Sequence, residues 1–60
     1  MSIDDFLEYM KLNHTGENPL LRIFMSDKEI RLAERLVKKG LLMKGTSIES
    51  RRNKVYYINA

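Results

Sequence analysis

Residues 26–42 read SDKEIRLAERLVKKGLL, and this stretch marks both ends of one helix. Ser26 and Glu29 have the spacing of a capping box, in which each side chain accepts a hydrogen bond from the other residue's backbone N–H. Two lysines near the end oppose the negative end of the helix dipole, and Gly40 follows at the position that favours a left-handed conformation. The pattern predicts a helix over about residues 27–39.

This helix has an apolar side and a cationic side. At about 100° per residue, Ala33, Val37 and Leu41 fall within roughly 60° of Ile30, with Leu36 about 60° further on, beyond Ala33. We expect this side to face a core. The cations on the other side are Lys28, Arg31, Arg35, Lys38 and Lys39. We expect that side to face water or a polyanion.

The length and composition limit what the chain can be. A chain of 60 residues forms one domain at most, residues 1–60, with a small core and a thin margin of stability. Without cysteine there is no disulfide framework and no usual zinc ligand set, so we expect no metal and no cofactor. No apolar run approaches the roughly 20 residues of a membrane span, and the start MSIDDFLEYM is acidic, unlike a signal peptide. We expect a soluble protein of the cytoplasm, or of a host cytoplasm if the chain is viral.

The net charge of +3 is unevenly distributed along the chain. Residues 1–18 carry four acids against one cation, a net charge of −3, whereas residues 19–60 carry ten cations against four acids, a net charge of +6. Such segregation is typical of proteins that bind nucleic acid. A basic surface that is merely solvated is the other interpretation of the same charges.

A first amphipathic helix is predicted over about residues 3–12. Ser2 begins the capping pattern, and the apolar residues then recur at three and four residues, namely Ile3, Phe6, Leu7 and Met10. Leu12 lies opposite this face, so it is either frayed or in contact with a partner. The outer face is acidic, with Asp4, Asp5 and Glu8, and it should point away from any nucleic acid. The polar loop NHTGEN follows, and we expect its His14 to be solvated.

A short second helix is predicted over about residues 19–25, PLLRIFM. Asn18 followed by Pro19 has the pattern of an N-cap with proline at the first helical position. The run is so apolar that nearly all of it should be buried, with Arg22 as the exposed exception. About three residues remain for the turn to the helix over residues 27–39, so the two helices should cross steeply as a helix-turn-helix.

After Gly40 the pattern changes from helical to extended. Leu41 to Met43 form a short apolar strand, residues 44–53 are polar, and residues 55–58 form a β-branched and aromatic run. We expect a β-hairpin over about residues 41–58 that lies against the helices, because a two-stranded hairpin is marginal alone. The fold class is therefore α+β, with three helices followed by a two-stranded hairpin.

The run from Ser26 to Asn59, a capped helix ending in KKGLL, then ESRRNK, then VYYIN, resembles the recognition helix and wing of winged-helix DNA-binding domains. The MarR and PadR-like regulators are the nearest in style. In those domains the helix ends in a similar Lys/Glu-x-Gly-Leu sequence, and an Arg-containing turn precedes an aromatic or β-branched strand. A strand precedes their short helix, whereas this sequence gives no sign of one, and their long dimerisation helices are also absent from it.

The resemblance implies a DNA-binding protein, in particular a small prokaryotic or viral transcription regulator. It implies that the first turns of the helix over residues 27–39 enter the major groove, with Asp27, Lys28 and Arg31, together with Glu34 and Arg35, near base edges. The wing over residues 44–54 would lie on the backbone or in the minor groove. The residues expected to contact DNA are Lys28, Arg31, Arg35, Lys38, Lys39, Arg51, Arg52 and Lys54, with Lys38 and Lys39 limited to phosphates. The partner would be double-stranded DNA, and a homodimer would let one helix read two half-sites.

Two other functional classes compete with DNA binding. An adaptor that binds another protein is the alternative, since the methionines, Leu12, Leu32 and the tyrosines of the hairpin could supply an interface. RNA binding is weaker, because the aromatic residues lack the stacking pattern of RNA-binding sheets. We expect no enzyme, since the sequence has no cysteine nucleophile, no Gly-rich phosphate loop and no evident pair of catalytic carboxylates. No small-molecule substrate is evident either.

Overall fold

A computed structural model of the chain describes residues 1–47 and 53–59. In chain order the elements are helix α1 (Ile3–Asn13), strand β1 (Leu20–Leu21), a 3-10 turn (Arg22–Phe24), helix α2 (Asp27–Lys38), strand β2 (Met43–Thr46) and strand β3 (Lys54–Tyr57). The three strands form one antiparallel sheet in the order β1-β3-β2. The α+β class and the β2-β3 hairpin are confirmed, but the first strand of the hairpin covers Met43–Thr46 rather than the predicted residues 41–43, because the turn at Gly40 still occupies residues 41 and 42.

The ends of α2 are those that the local sequence predicts. The Ser26 N–H donates to Glu29 Oε1 over 2.8 Å, and the Glu29 N–H donates to Ser26 Oγ over 3.2 Å, so the capping box is complete. At the other end Gly40 has a φ of 79°, and the Leu41 N–H donates to the Leu36 carbonyl over 3.0 Å. This is the Schellman arrangement, which satisfies a carbonyl that the last helical turn leaves without a partner. It ends the helix one residue before the predicted Lys39.

The apolar side of α2 is wider than the sequence predicts. Ala33 and Leu36 are buried as expected, but Leu32 is also buried, with 9% of its surface exposed. Two neighbours explain the extra width, because α2 packs against α1 as well as facing the sheet. Leu32 is therefore a core residue, which removes it from the predicted adaptor interface. Leu41 was expected in the core, but it lies beyond the Gly40 turn and is 51% exposed.

Helix α1 agrees with its predicted pattern. Phe6 and Met10 are fully buried, and Ile3 and Leu7 pack against the core from its margin. Ser2 Oγ accepts from the Asp5 N–H over 3.1 Å, so the predicted cap is present. Leu12 is 80% exposed, in line with its position opposite the buried face.

The predicted helix over residues 19–25 is wrong. Leu20 and Leu21 are instead paired with Tyr56 and Val55 as an edge strand. Winged-helix domains have a strand before their short helix, and this one was not evident from the sequence. Only residues 22–24 remain for a helical turn before the extended Met25 and the N-cap of α2, and three residues form a 3-10 turn rather than an α-helix. The structure therefore has two α-helices and three strands, where the sequence predicts three helices and two strands.

The burial of this segment also differs from the prediction. Met25 is buried, but Ile23 and Phe24 are 60% and 72% exposed. A single 3-10 turn has no extended apolar face that could bury all its side chains against the core. Two large adjacent apolar side chains therefore lie on the surface just before α2.

The core lies between α1, α2 and one face of the sheet. Its buried members are Phe6, Met10, Met25, Leu32, Ala33, Leu36, Leu42 and Tyr56. Pairing sets Leu20, Tyr56 and Lys44 side by side across the three strands, so these residues share the face that is turned to the helices. Within residues 1–47 and 53–59, neither α-helix is long and apolar enough to cross a bilayer.

We expect the capping box to be a measurable part of the stability. The Ser26→Ala variant loses the oxygen that accepts from the Glu29 N–H, which typically costs about 1 kcal/mol. In a domain of this size that loss lowers the melting temperature by roughly 4–8 °C. Thermal unfolding followed by circular dichroism measures it, and Ser26→Asp, which keeps an accepting oxygen, is the control. Equal melting temperatures of the Ala and Asp variants would contradict this role.

Candidate nucleic-acid interface

The outer side of α2 carries a row of exposed cations. Its members are Lys28, Arg31, Arg35 and Lys38, with Lys39 at the C-cap. At about 100° per residue these positions share an arc of roughly 100°, and at 1.5 Å per residue the row is about 15 Å long. The major groove of B-DNA is about 12 Å wide and admits an α-helix, so a helix that carries this row can enter it. The structure thus brings together all five of the predicted contact residues on this helix.

The acids of α2 could in principle neutralise this row. Glu34 lies three residues after Arg31 and four before Lys38, which are the spacings of ion pairs on a helix surface. Glu29 is held by the capping box at the start of the helix. Asp27 is exposed in the first turn, where a carboxylate is favoured by the helix dipole.

Glu34 is held by the sheet rather than by its own helix. The Tyr56 hydroxyl donates a hydrogen bond to Glu34 Oε2. Lys44 Nζ lies 2.7 Å from the same oxygen and 5.9 Å from the centroid of the Tyr56 ring. One carboxylate therefore joins α2 to both strands of the hairpin, because Lys44 belongs to β2 and Tyr56 to β3.

The ionisation of this group follows from its contacts. The hydrogen bonds from Lys44 and Tyr56 lower the pKa of Glu34, and the positive charge of Arg22 acts in the same direction. Burial, together with the bond to the negative Glu34, raises the pKa of Tyr56 to about 12. At neutral pH Glu34 is therefore a carboxylate and Tyr56 a protonated phenol, as the hydrogen bond between them requires.

The binding of Glu34 by the sheet has an electrostatic consequence for the cation row. In the described part of the chain, the ion pair that the structure shows joins Glu34 to Lys44, and the five cations of the row make none. The resemblance places Glu34 near base edges, but in the structure its carboxylate binds Tyr56 and Lys44 of the same chain. The outer side of α2 remains strongly positive.

Two cations near this site were not among the predicted contact residues. The sequence places Lys44 in the polar segment over residues 44–53 and predicts Arg22 as the exposed exception in a buried helix. Arg22 lies near enough to influence the ionisation of both Glu34 and Tyr56. Alternation along the strands could have placed Lys44 on the helix-facing side, but its partner across the fold has no local sequence signal.

The hairpin contributes one described cation from the predicted set. Lys54 is exposed at the start of β3, opposite Thr46. The predictions for Arg51 and Arg52 lie outside the described residues.

His14 has a structural position. It follows α1 as its C-cap, and its ring nitrogens lie 3.0 Å from the Asn18 carbonyl oxygen and 3.2 Å from the Tyr9 hydroxyl. The ring is half-buried, so the expectation that it is solvated is only partly met. Within the described ranges, no three His, Cys, Asp or Glu side chains are grouped as a metal site.

Comparisons with protein-family models, curated proteins and solved structures find no match to this chain.

We expect the Glu34 group to make stability depend on pH at both extremes. A lowered carboxyl pKa stabilises the fold above the ordinary value of 4.5, and this contribution is lost as the pH falls below it. A raised phenol pKa stabilises the fold below the ordinary value of 10.0, and this contribution is lost as the pH rises toward about 12.

Denaturant unfolding at a series of pH values measures both effects. Glu34→Gln should flatten the acid side, and Tyr56→Phe should flatten the alkaline side. Tyr57→Phe, the same change at the next residue, is the control and should leave the alkaline slope as in the natural chain. A Tyr56→Phe variant with the natural alkaline slope would contradict the assignment.

Proposed function

We propose that this chain is a small transcription regulator that binds double-stranded DNA as a winged helix-turn-helix. In this proposal α2 enters the major groove, and residues 44–54 of the hairpin lie on the backbone or in the minor groove. The exposed cation row of α2 is the observation that carries the proposal. It lies along one side of an α-helix, an element that the major groove admits, and in the described part of the chain no carboxylate is ion-paired with it.

The order of the elements supports the winged-helix part of the proposal. The chain runs helix, strand, short helical turn, helix and hairpin, and the first strand pairs with the last. Winged-helix domains have a strand before their short helix. That strand was not evident from the sequence, but it is present here as β1. The short helix itself is reduced to a 3-10 turn.

The distribution of acids supports the same orientation. Asp4, Asp5 and Glu8 are all exposed on α1, whose buried Phe6 and Met10 share one core with the apolar side of α2. The acids of α1 and the cations of α2 therefore both lie outside this core, on different helices. A domain with one positive and one negative side is attracted to DNA in one orientation.

The adaptor remains the second candidate, and a specific observation favours it. Leu41 and Met43 are 51% and 41% exposed near the C-terminal end of α2, away from the first turns of the helix that would enter the groove. A partner protein could cover them. The presence or absence of DNA binding by the folded chain decides between the two functions.

We expect Arg31→Ala and Arg35→Ala each to weaken binding to duplex DNA. An arginine that contacts a phosphate contributes about 0.9 to the slope of log affinity against log salt, and one that contacts a base contributes about 1–3 kcal/mol. Binding to a random duplex pool at two salt concentrations measures the loss and the change in slope. Sequencing the retained duplexes shows whether bases are read.

Lys11→Ala is the matched control, because it removes one positive charge from exposed α1. It should change affinity and salt slope much less than either arginine variant. If the folded natural chain binds no duplex DNA even at low salt, the proposal is wrong. If Lys11→Ala and the arginine variants lose DNA affinity equally, the loss reflects only the net charge of the protein and not the position of the arginines on α2.

A further inference from the structure

Two adjacent large apolar side chains are exposed on the 3-10 turn. Ile23 is 60% exposed and Phe24 is 72% exposed, although the flanking Leu21 is half-buried and Met25 is buried. Exposed apolar groups that lie together often mark a binding surface. The position of the pair in the fold indicates what it would bind.

The sheet register places the pair at the tip end of the hairpin. Leu20 is opposite Tyr56 and Leu21 is opposite Val55, so the chain leaves β1 in the direction of Lys54, where β3 emerges from the tip. The 3-10 turn lies against β3. Ser26, the N-cap of α2, follows two residues after Phe24. The pair is therefore set between the first turn of α2 and the tip end of the hairpin.

The exposed charged side chains that border this position include several cations. Arg22 precedes the pair, Lys28 lies in the first turn of α2, and Lys54 begins β3. These three exposed cations outweigh the exposed Asp27 of the same turn. A surface with apolar side chains among cations is complementary to a polyanion that itself carries apolar groups. The exposed Leu41 and Met43 are not part of this surface, because α2 separates them from it by about 18 Å.

We propose that Ile23 and Phe24 contact the 5-methyl groups of thymines in the major groove, beside the first turn of α2. This inference rests on the proposed function, since it takes α2 to be the element in the groove. Among the four bases, thymine is the one that presents a methyl group there, and apolar side chains such as Phe are suited to contact it. The pair thereby adds a preference for thymine that the cations cannot supply, because they read acceptors and phosphates.

The test removes the methyl groups and nothing else from the bases. Duplexes retained by the natural chain from a random pool are amplified twice, once with thymidine and once with deoxyuridine in its place. Burying one methyl group is worth about three- to fivefold in affinity, so we expect the natural chain to bind the deoxyuridine pool weaker by at least that factor. Fluorescence anisotropy with each pool gives the two affinities.

The variants assign the effect to the two side chains. Ile23→Ala and Phe24→Ala are made separately, so that the test survives if one of them fails to fold. Each should bind the thymidine pool more weakly and show a smaller ratio between the two pools. Leu41→Ala is the matched control, because it truncates an exposed apolar side chain at the other end of α2 and should keep the natural ratio.

The outcomes separate this inference from the proposed function. Binding that weakens with salt but is equal for the two pools overturns the thymine contact and leaves DNA binding intact. The same holds if Ile23→Ala and Phe24→Ala keep the natural ratio. A natural chain that sediments as a dimer and becomes monomeric in Phe24→Ala with an unchanged ratio would assign the pair to self-association and overturn the contact. If the natural chain binds neither pool, both the contact and the proposed function fail.

Discussion

The hydrogen bond from the Tyr56 hydroxyl to Glu34 is the constraint that fixes how the sheet and α2 are placed. The Tyr56 ring is fully buried in the core, while its hydroxyl reaches the edge of the helix. If α2 turned about its axis by one residue, Glu34 would move by about 100°, and a donor at the edge of the core would lose its acceptor. Such a loss costs roughly 1–3 kcal/mol, a large fraction of the stability that a small domain has. Together with the burial of Leu32, Ala33 and Leu36, this contact sets the rotation of α2 and so the direction of its cations.

Local signals in the sequence were enough for the two α-helices and the hairpin. The capping box of Ser26 and Glu29, Gly40 and the spacing of Phe6 and Met10 act within one or two turns of the chain, so they can be read without knowledge of the fold. The segment PLLRIFM could not be assigned in this way, because a short apolar run fits a buried strand as well as a helix. Its conformation is decided by pairing with Val55 and Tyr56, far along the chain. The same holds for the site. The row of cations follows the helical period and could be predicted, whereas the contact of Glu34 with Lys44 and Tyr56 joins residues far apart in the sequence and could not.

The edge strand also explains why the surface before α2 is apolar. β3 is buried at Val55 and Tyr56, and β1 covers the edge that the hairpin leaves open. Leu20 and Leu21 are used for this pairing, so only three residues are left for the helical turn that follows. A turn that short cannot turn Ile23 and Phe24 inward together with Met25. The pairing of residues 20–21 therefore both completes the sheet and leaves Ile23 and Phe24 exposed.

The positive charge on the outer side of α2 likewise follows from structural contacts, namely those of Glu29 and Glu34. Glu29 closes the N-terminus of the helix, and Glu34 accepts from Tyr56 and Lys44. Each carboxylate is engaged with donors outside the cation row, so the structure pairs neither with the lysines and arginines one turn away. Lys44 meanwhile offsets the charge of Glu34 from outside the helix. The cation row is thus strong because two of the three acids within the same helix, Glu29 and Glu34, hold its N-terminus and its contact with the sheet. A surface that attracts a polyanion therefore follows from the contacts that stabilise the domain.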